Sequence, residues 1–249
     1  MDAIFELSFL LNQAISLTAL CLIQYTNGYL AEHKNVKVNY TRKINHFTLF
    51  VIPILLNRGY AYDQSFGLFA LGAFLAVFKF IFYIKPIRDR VPFIRTMFSS
   101  FDRPEDRPHT LLWLSTQTAA GYLVLIPMGI LFSQLGLMEL ILIPILIYGI
   151  GDGLAEPVGV RFGKHKYAAY ALFSDKKYFR TFEGSACVLI TSIIVVIAHY
   201  TFFTPLQLMV ALAAIPILMT LAEAFSPHTW DSPVMFLVGS LSLLAISFI

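Results

Sequence analysis

The chain has 249 residues, of which 57% are apolar, 15% aromatic and only 13% charged, with a net charge of +3. Soluble domains carry about 25% charged residues, and no water-soluble fold of this length can bury so much apolar surface, so part of the solvent is lipid. The small net charge gives no reason to expect a nucleic-acid partner, and Cys21 and Cys187, far apart in apolar stretches, read as packed thiols rather than a disulfide or a metal site.

Apolar stretches recur at 4–30, 44–62, 65–84, 110–132, 137–157, 184–203, 205–222 and 232–249. Crossing the hydrocarbon takes about 20 residues, and backbone in lipid must satisfy its own polar groups, so each stretch predicts a helix. The first reads as a true span, because Asp2 and Glu6 stand where a signal peptide would be basic and no small-residue cleavage site follows. The second, seventh and eighth are near the lower length limit. The expected fold is therefore all-α: a polytopic membrane helix bundle of about eight spans, with a range of seven to nine. No repeat, low-complexity tract or linker interrupts it, and residues 1–249 read as a single domain.

The connections set the expected orientation. Lys34, Lys37, Arg42 and Lys43 follow the first span, and Lys85, Arg88, Arg90, Arg95, Arg103 and Arg107 follow the third. Arg161, Lys164, Lys166, Lys176, Lys177 and Arg180 follow the fifth. Of the two other cations, Arg58 lies in the opposite connection, and Lys79 is close enough to the end of its span to snorkel. The positive-inside rule then makes these three loops cytoplasmic and puts both termini on the far side.

Orientation needs cations but not acids, yet the same face carries Asp102, Glu105, Asp106, Asp152, Glu156, Asp175, Glu183, Glu223 and Asp231. Asp152, Glu156, Glu183 and Glu223 fall at or within membrane depth. A carboxylate there normally faces a cavity, a partner or an ion. Acids converging with Lys and Arg suit a divalent metal on a polyphosphate, the carboxylates holding Mg²⁺ and the cations holding phosphate.

The densest such stretch runs from Gly151-Asp152-Gly153 to Lys164-His165-Lys166. On a helix, Asp152 and Glu156 share a face. Gly149, Gly151, Gly153, Gly159 and Gly163 admit close approach of either another backbone or a phosphate. Pro157 is expected to break the helix just after the acids. The plain alternative is a glycine-rich helix end followed by a topogenic basic loop. Other nucleotide and catalytic motifs are absent. Gly159 to Lys164 lacks P-loop spacing, no βαβ unit surrounds the glycines, the histidines form no zinc set, and there is no serine nucleophile elbow.

Gly151-Asp152-Gly153-Leu154-Ala155 through Gly159-Val160-Arg161-Phe162-Gly163-Lys164, followed by Arg180-Thr181-Phe182-Glu183-Gly184-Ser185, resembles the signature of the polyprenol kinase family. That family includes dolichol, phytol and farnesol kinases. Three further elements resemble it: Arg42-Lys43-Ile44-Asn45-His46, Arg103-Pro104-Glu105-Asp106-Arg107-Pro108, and Ala222-Glu223-Ala224 with Asp231 and Pro233. The chain departs from the common pattern at Arg180, Phe182 and Ser232, where the family often has Lys, Trp and Asn.

The resemblance implies a CTP-dependent, Mg²⁺-assisted kinase of a membrane-borne isoprenoid alcohol of the phytol, geranylgeraniol, farnesol or dolichol kind, with its active face cytoplasmic. It implies a metal set of Asp152, Glu156, Glu183 and Glu223, although Asp152 also reads as a helix cap, and Glu156 and Glu183 as ion-pair partners of Arg161 or Arg180. Arg161, Lys164, Lys166, Arg180, Arg103, Arg107, Lys43 and His46 become candidate nucleotide or phosphate contacts. Gly151, Gly153, Gly159, Gly163, Gly184 and Ser185 join them. Asp106 or Asp231 would accept the alcohol proton. The alternatives are a CDP-lipid cytidylyltransferase, or a non-enzymatic transporter or scaffold. A transporter predicts polar groups through the midplane and inverted halves, whereas here they gather on one face.

Overall fold

The computed structural model describes residues 7–59 and 66–249. Asp2, Glu6 and the start of the first predicted span, together with the connection between the second and third, lie outside the described residues. The chain forms two compact units, Met1–Ser115 and Thr116–Ile249.

The first unit holds α1 (Leu7–His33), α2 (Val38–Gly59), α3 (Phe66–Phe78), α4 (Lys85–Arg90) and α5 (Pro92–Ser99), with α3 tightening into a 3₁₀ turn at Lys79–Tyr83. Pro86 and Pro92 lie in the first turns of α4 and α5, where a fixed φ favours helix and no hydrogen bond is lost. These two short helices were not expected from the sequence, where 85–99 reads as a basic loop. α5 turns Met97 and Phe98 into a core with Tyr83 and Phe101. Phe101 meets both Tyr83 and Phe98 edge to face, with centroids 5.2 and 5.4 Å apart. Gly28 allows α5 to lie against α1, since a Cβ there would stand 1.7 Å from the Thr96 carbonyl oxygen.

α6 (Thr110–Gln134) crosses the sequence boundary between the units. In the second unit a 3₁₀ turn (Met138–Ile141) leads into α7 (Leu142–Leu146), a π-helical turn (Ile147–Asp152) and α8 (Gly153–Phe162). A two-stranded antiparallel hairpin follows, β1 (Lys166–Ala171) and β2 (Ser174–Thr181), with Tyr167 opposite Arg180 and Ala169 opposite Tyr178. Then come α9 (Phe182–Ala198), α10 (Pro205–Phe225) and α11 (Asp231–Ser247). α9 packs on α8 and the π turn as well as on α10, and α10 packs on α11. Thr204 caps α10 reciprocally with Gln207, by hydrogen bonds of 2.9 and 3.3 Å.

Each of the eight predicted spans coincides with one helical stretch. Leu7–His33, Phe66–Tyr83, Thr110–Gln134, Met138–Phe162 and Pro205–Phe225 are long and apolar enough to cross a membrane, and Phe182–Ala198 and Asp231–Ser247 are shorter apolar helices. The protein is an integral membrane helix bundle.

The helical bundle carries one small addition: the segment from Tyr167 to Tyr178 forms the hairpin, which a strand pattern with few β-branched residues and a Lys-rich second half conceals. Two expectations are corrected. Pro157 does not end its helix but lies inside α8. The irregularity falls earlier, where Ile147–Asp152 widens to π geometry ahead of Pro157. Arg161 accordingly sits in the last turn of α8 and not in a loop.

Candidate active site

Arg180 organises the second unit's polar cluster. It projects from β2 into the gap above α9 to α11, and its two terminal nitrogens are fully engaged. Nη1 donates to Glu223 Oε1 at 2.9 Å and to the Glu223 carbonyl. Nη2 donates to Asp231 Oδ1 at 2.6 Å and to Ser226 Oγ at 3.1 Å. Ser226 Oγ in turn lies 2.5 Å from Asp231 Oδ1, and Ser185 Oγ donates to Glu223 Oε2 at 2.8 Å. The Tyr167 hydroxyl joins Ser185 Oγ at 2.7 Å. Burial alone would lower the Arg180 pKa. Asp231, then Glu223 and Asp152, outweigh it and hold the guanidinium above its already high ordinary value. Asp152, buried where the π turn meets α8, therefore lies within electrostatic reach of this cation.

Arg180 was expected to clamp phosphate, and its terminal donors are engaged by two buried carboxylates and by four backbone or hydroxyl oxygens. It is the counter-charge that lets Glu223 and Asp231 be buried. Asp231 is held by Arg180 and Ser226, and both Glu223 carboxylate oxygens are engaged, Oε1 by Arg180 and Oε2 by Ser185.

The glycines report close packing. A Cβ on Gly151 would lie 3.0 Å from Val188 Cα, one on Gly159 2.6 Å from Thr181 Oγ1, and one on Gly184 2.7 Å from the Ala155 carbonyl oxygen. A Cβ on Gly163 would meet the Gly159 carbonyl oxygen at 2.3 Å. The sequence left a backbone or a phosphate open as the partner of Gly151, Gly159 and Gly163, and the structure supplies neighbouring backbone and the Thr181 side chain. Gly153 is buried in the first turn of α8. Through this contact α8 is pressed on α9, which fixes the direction of Asp152.

Glu183 serves the root of the hairpin. Its Oε1 accepts from the backbone N–H groups of Lys164 (3.1 Å) and His165 (3.3 Å), and lies 2.9 Å from His165 Nδ1. Thr181 Oγ1 caps α9 through the Gly184 N–H at 3.1 Å. Glu156 is half-buried on α8, and Arg161, Lys164 and Lys166 are exposed around the mouth of this region. Among the described residues no three His, Cys, Asp or Glu side chains are placed to hold a metal ion together. Asp152, Glu156, Glu183 and Glu223 thus do not form one ligand cluster in this structure.

The remaining candidates belong to the first unit. Arg103 and Asp106 are both buried and bonded at 2.7 Å, and Arg107 Nε donates to Asp102 at 2.8 Å, with Thr110 capping the same carboxylate at 2.7 Å. Lys43 is buried and His46 lies against the Phe50 ring, 5.1 Å between centroids. Asp106, like Asp231, is bound to an arginine.

Sequence reasoning missed a neutral network beside these groups. Asn27 Nδ2 donates to Asn45 Oδ1 at 2.7 Å, Asn45 Nδ2 to Ser100 Oγ at 2.7 Å, and Thr41 Oγ1 to the Ser100 carbonyl at 2.7 Å. An amide inside a long apolar stretch, as Asn27 is, was the available signal. Ser226 and Tyr167 gave none, because only their neighbours in space make them part of the cluster. One further oddity sits in the α10–α11 turn. Thr229 has φ 66°, a left-handed conformation costly for a β-branched residue, and its buried Oγ1 has no hydrogen-bond partner among the described residues.

No protein-family model matches the chain, and no solved structure matches it. Dolichol kinase of Saccharomyces cerevisiae is 26% identical over 179 residues, covering 70% of this chain and 30% of that protein. The chain therefore spans less than a third of that relative's length. This likeness, covering most of the chain, supports a relationship between it and the polyprenol kinase family.

Proposed function

We propose that the chain is a membrane-embedded kinase that moves the γ-phosphoryl group of CTP to a long-chain isoprenoid alcohol, on the cytoplasmic side of its membrane. The observation that carries this reading is the placement of buried Asp152 beside the Arg180–Glu223–Asp231 cluster, close in sequence to exposed Arg161, Lys164 and Lys166. The similarity to a dolichol kinase supplies the reaction class.

Phosphoryl transfer needs positioning and charge neutralisation more than a strong base. Exposed Arg161, Lys164 and Lys166 take the phosphate oxygens of the incoming nucleotide. Arg180 stays with its carboxylates and fixes the hairpin over the helix ends, so the basic residues at the hairpin root keep their position. The donor set fits Mg²⁺ in its usual protein mode, which takes one or two carboxylates plus substrate phosphates: Asp152 is the carboxylate, with Glu156 one turn on. Bound there, the ion would offset the charge of the β- and γ-phosphates. The alcohol reaches the site from the bilayer, since the acids and cations lie at helix ends where lipid and water meet.

The test is transfer of label from CTP to lipid by the purified protein in detergent, with γ- and α-labelled nucleotide and a panel of prenyl alcohols. Label moving from the γ position alone supports the kinase. Label from the α position makes it a cytidylyltransferase, and no transfer to any alcohol or lipid phosphate overturns the reading. Asp152→Asn is expected to lower kcat by roughly a hundredfold or more with membrane insertion unchanged, and normal turnover would remove Asp152 from the site.

A further inference from the structure

The hairpin leaves the bundle between two apolar helices, α8 closing the Met138–Phe162 stretch and α9 opening at Phe182. Its two faces are unlike, as period-two alternation allows. One is tied to the second unit: Tyr167 to Ser185, Arg180 to Glu223 and Asp231, and the Tyr178 ring stacked on His228 at 3.9 Å between centroids. The His228 N–H also donates to the Tyr170 carbonyl at 2.7 Å, so β1 is held against the α10–α11 turn.

The other face is open and aromatic. Tyr170 is 59% exposed, Phe179 63% and Phe173, at the tip, 66%. Phe162 and Phe182, at the two roots, are 60% and 63% exposed. Near the tip in sequence are exposed Lys176 and Lys177, against one acid, Asp175. Phe182 also continues the exposed stripe of α9 through Ile190, Ile193 and Ile197, which share a helical face. The open aromatics are therefore continuous with surface that, in a spanning helix, meets lipid.

An exposed tyrosine and phenylalanines beside lysines, next to the ends of membrane spans, are what the interfacial layer accommodates. Lysines there are drawn to anionic lipid. We propose that the outer face of the hairpin is seated in the anionic headgroup layer of the membrane the helices cross, with Tyr170, Phe173 and Phe179 entering the interface and the exposed lysines near the tip, Lys176 and Lys177, meeting acidic headgroups. This seat does not depend on the kinase reading, since it rests on exposure and charge outside the Asp152 cluster.

The test uses the full chain with Cys21→Ala and Cys187→Ala and one nitroxide, at Phe173→Cys, Phe179→Cys or, as an exposed loop reference, Lys34→Cys. Each variant is reconstituted in nanodiscs of phosphatidylcholine with or without phosphatidylglycerol. The expected result is a severalfold higher ratio of oxygen to nickel-chelate collisions at 173 and 179 than at 34, largest with phosphatidylglycerol and reduced by Lys176→Glu with Lys177→Glu. Water-like collision ratios at both positions in both lipids would overturn the proposal. Shielding from both reagents would also overturn it, by pointing to a protein surface. A ratio unmoved by the charge reversal would overturn the acidic-headgroup contact. Hydrogen exchange of the unaltered chain guards against a misfolded variant: amides of 170–179 should exchange severalfold more slowly with phosphatidylglycerol, and equal rates in the two lipids count against the seat.

Discussion

Two buried polar networks, one in each unit, are built in opposite ways. The first joins α1, α2 and the end of α5 through neutral amides and hydroxyls, Asn27, Asn45, Thr41 and Ser100. The second joins a strand and two helix ends through full charges, Arg180 with Glu223 and Asp231. A neutral network loses about one to three kcal/mol when a member is removed, the desolvation of whatever is left unpaired. An ionic one leaves a bare buried charge, at about 3–5 kcal/mol. The neutral cluster reads as helix-to-helix glue, whereas the ionic one gives the hairpin a single placement that no weaker contact would enforce.

Arg180→Met is the sharpest break of that contrast. It strands two buried carboxylates and is expected to cost about 3–5 kcal/mol, read as a large drop in thermal unfolding temperature in detergent. Adding Glu223→Leu and Asp231→Leu should recover much of that stability without restoring activity. If Arg180→Met is as mild as a surface change, the cluster is not what holds the hairpin. Asn45→Ala comes next. It removes the partner of both Asn27 and Ser100 and should cost about 1–3 kcal/mol in the same melt, with a smaller loss than Arg180→Met.

Thr229→Gly should run the other way. Relief of the left-handed backbone and removal of an unpaired hydroxyl are expected to raise stability by about 1 kcal/mol, and a fall in melting temperature would show that the threonine side chain is structural. The smallest effect concerns Tyr167. Burial, then the nearby Glu223 carboxylate, pushes its hydroxyl up to about 12. A raised folded-state pKa stabilises the protonated form, so its contribution is complete below pH 10 and is lost as pH rises toward about 12. The wild type should lose hairpin protection from hydrogen exchange over that alkaline window, and Tyr167→Phe should show no such step.

Much of this architecture could be read from the sequence, because a bilayer imposes length and apolarity on anything that crosses it. Each of the eight apolar stretches carries a helix, Asp152, Glu223 and Asp231 stand out as acids that orientation does not need, and Arg180 as a candidate phosphate contact. What those charges do to one another was not legible. Pairing depends on which side chains meet, and the serines and tyrosine completing the cluster look ordinary in sequence. The hairpin was hidden because its strands, Lys-Tyr-Ala-Ala-Tyr-Ala and Ser-Asp-Lys-Lys-Tyr-Phe-Arg-Thr, show little β-branching and lie in what charge alone marks as a topogenic loop. The glycines were visible as close-approach sites. Whether the approaching group is a backbone or a phosphate is a question of packing: helix meets helix at Gly151 and Gly184, and the Thr181 side chain fills the space at Gly159.

The π turn at Ile147–Asp152 carries one consequence for how this segment tolerates change. Such a turn holds more residues than an α-helical one, so it behaves as a local surplus in the chain. Deleting one residue between 147 and 151 would let the turn relax to ordinary winding while leaving Asp152 and α8 in place against α9. The same deletion just after it, within 153–155, has no surplus to absorb it and would turn Asp152 by about 100° around the axis relative to Glu156 and the rest of α8. Single-residue gaps should therefore be survivable on one side of Asp152 and ruinous on the other.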